Sequence, residues 1–124
     1  MRIWTTKSRM NRQVTKTNNN YINKRRNYYV CTFLKFNTDP GRRSEVEALA
    51  DRAFEIAKQQ RGLVSIYFVI SPDEGEYGSF SLWESMDNAE AGGDAIRSQI
   101  GATLQDLAKA PPTIDVYEVY KPGA

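Results

Sequence analysis

The side chains of this chain that could do chemistry are mainly aromatic and hydroxyl groups, because the usual metal ligands and nucleophiles are scarce. There is no histidine, and Cys31 is the single cysteine among 124 residues. This composition leaves no pair of thiols for an intrachain disulfide or a cysteine-cluster metal site, and no imidazole for zinc, haem or general-base roles. We therefore expect a protein without a metal and without a cofactor.

The remaining candidates concentrate in one stretch, residues 62–86, with the sequence GLVSIYFVISPDEGEYGSFSLWESM. Trp83 offers a large aromatic face, and Tyr67 offers a phenolic hydroxyl that donates or accepts a hydrogen bond. No general base is evident, because the acidic residues lie mostly in predicted turns and on predicted helix surfaces. Other polar side chains that could assist at a site are Ser65, Ser81, Asn88 and Arg97.

This stretch predicts a β-hairpin. Residues 63–71 place Val64, Ile66, Phe68 and Ile70 on one set of alternate positions, and residues 79–83 repeat the period of two over a shorter run. Between the two runs, residues 72–76 have the sequence PDEGE, which contains the residue types that start turns and accept positive φ. The two runs are therefore expected to pair as antiparallel strands.

Two helices flank the hairpin. Ser44 followed by Glu47 forms a capping box that predicts a helix running to about Arg61, with Gly62 as its left-handed cap. The second helix is expected to start at Ser85 or Asp87 and to be broken at residues 92–93, a Gly-Gly pair. The apolar stripes that predict burial are Val46, Leu49, Ala50, Ala53, Phe54 and Ala57 in the first helix, and Ile96, Ile100, Leu104 and Leu107 in the second.

A strand is predicted at each end of this region. Residues 28–36, YYVCTFLKF, are dense in aromatic and β-branched types, which favours a central strand, and residues 113–120 alternate as a last strand after Pro111-Pro112. The order β-α-β-β-α-β is typical of a ferredoxin-like α+β sandwich, in which a four-stranded antiparallel sheet carries both helices on one face.

Charge divides the chain into two regions. Residues 1–27 hold eight basic and no acidic side chains, while residues 28–124 hold nine basic and fifteen acidic ones, a net charge of −6. The first region also has an Asn run and no sustained apolar period, so we expect a disordered extension followed by one folded domain over residues 28–124. It has no apolar region typical of a secretory signal, and no segment has the roughly 20 apolar residues of a membrane span, so we expect a cytoplasmic protein.

Helices on one face leave the other face of the predicted sheet without a cover. We expect that face to display apolar side chains, more than a monomer usually exposes. Either a second copy of the sheet or a stacked nucleic-acid strand could cover it. The residues expected to contribute are members of the set Tyr28, Val30, Leu34, Phe36, Ile66, Phe68, Ile70, Phe80, Leu82, Ile114 and Val116.

Four short motifs occur in a fixed order along the chain: Pro40-Gly41 before the first helix, Arg61-Gly62-Leu63 entering the second strand, residues 80–85 (FSLWES), and residues 111–119 (PPTIDVYEV). Their order and spacing resemble the antibiotic biosynthesis monooxygenase (ABM) family of dimeric α/β barrels. The resemblance covers about residues 28–121. It implies a homodimer in which two sheets pack face to face, with a cavity between each sheet and its own helices.

The resemblance also implies a cofactor-independent monooxygenase that acts on a small aromatic molecule of the quinol or phenol type. In that reading Trp83, at the position of the family's cavity tryptophan, stacks on the substrate ring, and Tyr67 donates a hydrogen bond to a phenolate oxygen. Arg97 or Asn88 would pair with the anion, and Ser65 and Ser81 would contribute hydroxyls. Haem-degrading relatives use a histidine as an iron ligand, and this chain has none.

Two alternatives stay open. The first is a dimeric ligand-binding or structural barrel without catalysis. The second is an RNA-recognition module, which has the same element order. Residues 75–80 (GEYGSF), followed by Leu82-Trp83, faintly resemble its third-strand aromatic signature, and the basic extension would supply phosphate contacts. Phe80 and Trp83 are three residues apart and are expected on opposite faces of the strand, and the body charge of −6 opposes a polyanion, so nucleic-acid binding is the weaker alternative.

Overall fold

The computed structural model describes residues 28–123, so the expectations for the extension at residues 1–27 lie outside the described residues. Within the described part the element order is β-α-β-β-α-β, as predicted. The elements are β1 (Val30–Asn37), α1 (Arg43–Ala57), β2 (Leu63–Ile70), β3 (Glu76–Trp83), α2 (Met86–Leu107) and β4 (Thr113–Glu118).

The four strands form one antiparallel sheet in the order β2-β3-β1-β4. β1 lies in the centre, as its dense apolar sequence predicted, and its Val30 pairs with Trp83 of β3. The predicted hairpin is confirmed, since β2 and β3 pair along their lengths. Its turn is closed by the Ser71 amide, which donates to the Glu76 carbonyl at 2.8 Å.

Both helices pack on the same face of the sheet, which gives the ferredoxin-like α+β arrangement. Phe54, predicted in the buried stripe of the first helix, is instead 43% exposed. The main core cluster joins most of the other stripe residues of the two helices to the inward residues of three strands. Its buried members are Phe36, Val46, Leu49, Ala53, Tyr77, Ile100, Leu104, Leu107 and Ile114. A second cluster at the other end of the sheet contains Val30, Trp83 and Ala89.

The predicted capping box of α1 is wrong. The helix starts at Arg43, one residue before Ser44, and no side chain caps it at Arg42. Instead the Arg42 guanidinium donates to both carboxylate oxygens of Glu45, at 2.9 and 2.8 Å, across the first turn. The helix also ends at Ala57, earlier than predicted, although Gly62 does take the predicted positive φ of 83°.

The predicted break in the second helix is also wrong, because α2 runs through the Gly-Gly pair for 22 residues. Ser85 caps it as predicted, accepting a hydrogen bond from the Asn88 amide at 3.1 Å. Gly92 is buried because it packs directly on the Trp83 ring, where a Cβ atom would overlap the indole. This tertiary contact, and not local backbone preference, explains the glycine.

The sheet face without helices, called here the open face, has a different composition from the one expected. Phe80 and Leu82 lie on it as expected. Most of the other expected residues instead point to the helices, since they pair in register with Tyr77, Ser79, Ser81 and Trp83. The open face is formed by Cys31, Phe33, Tyr67, Val69, Phe80, Leu82 and Tyr117.

Within residues 28–123, no helix is long and apolar enough to cross a membrane.

Candidate active site

A cavity of about 170 Å³ lies between the sheet and its own two helices. Apolar side chains from all four strands and both helices form most of its wall. Polar groups are few, which is the usual character of a small-molecule pocket. The polar side chains in the lining are Thr32, Ser79, Ser81 and Tyr77 from the sheet, Glu47 from α1, and Glu90 and Arg97 from α2.

Trp83 lines this cavity and is 2% exposed. Its indole Nε1 donates to the Ser81 hydroxyl at 2.9 Å, on the same strand face two residues away. The ring is fixed on its other side by Gly92. Because both rings of the indole have such contacts, Trp83 is held in place in the cavity wall.

One stripe of α2 carries the charged groups of the site. Met86, Glu90, Gly93 and Arg97 recur at intervals of three or four residues, and all four line the cavity. Arg97 Nη2 lies 2.6 Å from Asp94 Oδ1, and its side chain is 16% exposed. This ion pair holds a guanidinium at the cavity wall.

The structure brings together three of the six predicted site residues. Trp83, Ser81 and Arg97 line the cavity. Asn88 does not line it, because its side chain packs on the backbone of Gly62 and its Oδ1 accepts from the Ser85 hydroxyl at 2.8 Å. Asn88 therefore fixes the start of α2 against the α1–β2 connection.

Ser65 and Tyr67 lie on the opposite side of the sheet from Trp83, which corrects the expectation that Tyr67 and Trp83 face one substrate. The cause is a β-bulge between Leu63 and Ser65. Beyond this bulge Tyr67 pairs with Phe80 and so shares the open face with it. Without the inserted residue the alternation would place Tyr67 on the cavity side, since a shift of one residue exchanges the faces of a strand.

Sequence reasoning missed Glu90 and Tyr77. Glu90 lines the cavity and its Oε2 atom is buried, whereas the sequence indicated no general base. The signal in the sequence was the spacing of Glu90 from Arg97, which places both residues on one side of a continuous helix. The predicted helix break at the Gly-Gly pair concealed this relation. Tyr77 is 3% exposed and stacks on Phe36 with ring centroids 6.0 Å apart, but the predicted strand began two residues after it.

Cys31 lies on the open face and is absent from the cavity lining. Its burial raises the pKa of the thiol above the ordinary value, only partly offset by a backbone hydrogen bond. The thiol is thus protonated near neutral pH, which makes it a poor nucleophile. Among the described residues, no group of three or more His, Cys, Asp or Glu side chains is placed to hold a metal ion.

Comparison with solved structures finds the same architecture in other proteins. A protein of Nitrosomonas europaea, proposed to be an antibiotic biosynthesis monooxygenase, superposes with a TM-score of 0.70 at 13% identity, covering 80% of this chain and 97% of its own. The chain has the fold of the antibiotic biosynthesis monooxygenases. No protein-family model matches the sequence, and no curated protein matches it significantly.

Two further neighbours of this ABM-like fold are informative. SnoaB from Streptomyces nogalater, a cofactor-independent oxygenase, superposes with a TM-score of 0.65 at 17% identity, covering 77% of this chain and 97% of its own. Rv0793 from Mycobacterium tuberculosis gives a TM-score of 0.67 at 22% identity, with 77% and 99% of the two chains covered. At these identities the likeness establishes the fold, and the activity is argued from the cavity.

Proposed function

We propose that this protein is a cofactor-independent monooxygenase that oxidises a small, electron-rich aromatic molecule of the quinol or phenol type. The observation that carries the proposal is the apolar cavity lined by Trp83, whose indole is held by Ser81. The fold is that of proteins named as monooxygenases, one of them a cofactor-independent oxygenase. The activity supported most directly is therefore oxygenation of a ligand that fits an aromatic, water-poor space.

The reaction needs no external reductant. A phenol loses its O–H proton, the phenolate passes one electron to O₂, and the two radicals combine to form a C–O bond. The hydroperoxide then loses the proton of its C–H bond as the O–O bond breaks, which leaves one oxygen atom in the product as a carbonyl and releases the other as water. The substrate supplies all four electrons, so the protein has to favour the anion, orient the ring and exclude water.

The lining residues divide this work. Trp83 stacks on the substrate ring, and the guanidinium of Arg97 stabilises the phenolate and the charge that develops on oxygen. The Ser81 hydroxyl accepts from the Trp83 indole, so its own proton stays available to a ligand oxygen. Tyr67 and Ser65, on the open face, have no part in this cavity mechanism.

A homodimer is part of the proposal. Tyr67 is 62%, Val69 50% and Tyr117 54% exposed. On the same open face Phe33 packs edge-on against Phe80, with centroids 4.6 Å apart. A second open face packed on this one would bury these rings. We place the dimer in the cytoplasm, as the sequence led us to expect.

Oxygen consumption by the purified, metal-free protein over a panel of hydroquinones and phenols tests the proposed activity. We expect uptake that depends on the enzyme. Trp83→Phe should lower kcat/KM roughly 3- to 10-fold, because a smaller ring loses about 0.5–1.5 kcal/mol of stacking. Phe54→Leu is the matched control, since Phe54 is an exposed aromatic residue of α1 outside the cavity.

The result that would overturn the activity is an absence of uptake by a folded protein, or uptake that Trp83→Phe leaves unchanged. Binding of the same phenols without uptake would favour the non-catalytic ligand-binding barrel.

A further inference from the structure

Glu90 is the acidic residue best placed to act inside the cavity. It lies on the α2 stripe between Met86 and Arg97, lines the cavity, and has its Oε2 atom buried. Glu47, the other acidic residue of the lining, is exposed, and its carboxylate is held 3.0 Å from Arg43 Nε at the surface of α1. Glu90 is therefore the more buried of the two carboxylates in the lining.

The other titratable or charged groups facing this space are few. β3 contributes Tyr77, and α2 contributes Arg97, which is ion-paired with Asp94. Among the described residues that line the cavity, β1, β2 and β4 contribute only apolar side chains and Thr32. Of the two carboxylates in the lining, Glu90 is the less exposed one, and it is the candidate to accept a proton from a bound phenol.

We propose that Glu90 is the general base of the reaction, an assignment that rests on the proposed function. The phenol O–H bond breaks, its proton moves to a Glu90 carboxylate oxygen, and the electron pair stays on the phenolate. After oxygen adds, the protonated carboxyl returns that proton to the peroxy anion, which becomes a hydroperoxide and restores the carboxylate. Glu90 therefore both removes and returns the phenol proton, and Arg97 on the same stripe stabilises the anion.

The first test is spectroscopic and needs no turnover. Wild-type protein is titrated without oxygen with 4-nitrophenol, at a pH where the free phenol is neutral, and the visible phenolate band is recorded. We expect the bound phenol to be ionised by the wild type and to stay neutral in Glu90→Gln, which keeps the shape of the side chain but is a poor base. Asp106→Asn is the control, because Asp106 is an 81% exposed carboxylate on the same helix outside the cavity.

The second test uses oxygen uptake with the best substrate of the panel. Glu90→Gln should lower kcat by about 10²-fold or more, the usual contribution of a general base, with a smaller change in KM. The deficit should shrink as the pH rises through the pKa of the substrate phenol, because a substrate that is already ionised needs no base. Glu90→Asp should recover part of the rate.

The outcomes separate the two proposals. If the wild type consumes oxygen and Glu90→Gln matches it at every pH, the general-base assignment is wrong and the monooxygenase stands. If the wild type ionises the phenol through Glu90 but consumes no oxygen with any substrate, the assignment stands and the monooxygenase is wrong. A wild-type protein that fails to bind 4-nitrophenol, or binds it un-ionised, overturns the role of Glu90.

Discussion

Trp83 and Gly92 pack directly against each other, so each constrains what the other position accepts. An alanine Cβ at position 92 would overlap Cη2 and Cζ3 of the indole. Alanine gains up to about 1 kcal/mol of helix propensity over glycine, but forcing a methyl group into a packed core costs typically about 1–3 kcal/mol. We therefore expect Gly92→Ala to lower the free energy of unfolding by about 1–2 kcal/mol, measured by urea denaturation.

Gly93 provides the matched control for that substitution. A Cβ at position 93 would lie 2.9 Å from Arg97 Nη1, the far end of a flexible side chain that is able to move away. Gly93→Ala should therefore be neutral or stabilising by up to about 1 kcal/mol. If Gly92→Ala is as stable as Gly93→Ala, the Trp83–Gly92 contact does not constrain the helix in the way described.

At the residue scale, three of the six predicted site residues line the cavity. Trp83, Ser81 and Arg97 were recognisable because their residue types fit the chemistry and their positions fall on the inward side of a strand and a helix. Tyr67 was misplaced because alternation shows which residues of β2 share a face but not which of the two faces the helices cover. The bulge between Leu63 and Ser65 also exchanges the faces before and after it, and no composition signal marks it, since Val64 has the side chain of an ordinary strand residue.

At the scale of elements, periodicity predicted the existence and type of all six helices and strands, while local signals predicted their details less well. The Ser44–Glu47 pair has the spacing of a capping box but lies inside the first turn of α1, which the Arg42–Glu45 ion pair organises. The Gly-Gly pair predicted a helix break because glycine has a low helix propensity. The contact of Gly92 with Trp83 joins two different elements and is not visible in the local sequence. Local patterns fail where a partner distant in sequence decides the backbone.

The β2–β3 turn gives a pH-dependent prediction at this scale. Asp73 Oδ1 accepts from the Ser71 hydroxyl at 2.7 Å and from the Gly75 amide at 3.0 Å. These hydrogen bonds, the first being the larger cause, lower the pKa of Asp73 below its ordinary value because they favour the charged form. A depressed folded-state pKa contributes stability above the unfolded-state pKa and loses it as the pH falls.

Asp73→Asn should therefore be less stable than the wild type at pH 7, and the difference should narrow as the pH falls below about 4, the ordinary range of aspartate. Thermal unfolding at a series of pH values measures this difference. Asp51→Asn, on the exposed side of α1, controls for the loss of one negative charge. A gap that stays constant down to low pH would contradict a stabilising role for the Asp73 charge.

At the scale of the whole molecule, the two faces of the sheet have different tasks. The helix-covered face encloses the cavity, and the open face presents Tyr67, Val69 and Tyr117 to its surroundings. The fold class was predictable from the sequence because six short amphipathic or apolar segments in this order have few ways to form one core. The side of the sheet on which an individual side chain lies was less predictable, because it depends on the register of the strand pairs.

The proposed dimer gives the last prediction. The full chain should scatter light as twice the mass of one chain at micromolar concentration. Tyr67→Asp places a charge among the apolar side chains of the open face, where a packed partner sheet would have to desolvate it, so this variant should shift to monomer. Phe54→Asp carries the same charge on an exposed apolar site of α1 and should stay dimeric.

Each alternative gives a distinct result in that experiment. A wild-type monomer would contradict the proposed dimer. A dimer that Tyr67→Asp leaves intact while Phe54→Asp dissociates it would show that the interface is not on the open face. A wild-type monomer that binds single-stranded RNA, with an affinity that falls steeply with salt and with Tyr67→Asp, would favour nucleic acid as the cover. Because the cavity and the open face lie on opposite sides of the sheet, Tyr67→Asp should leave phenol binding intact if the protein stays folded, which separates assembly from chemistry.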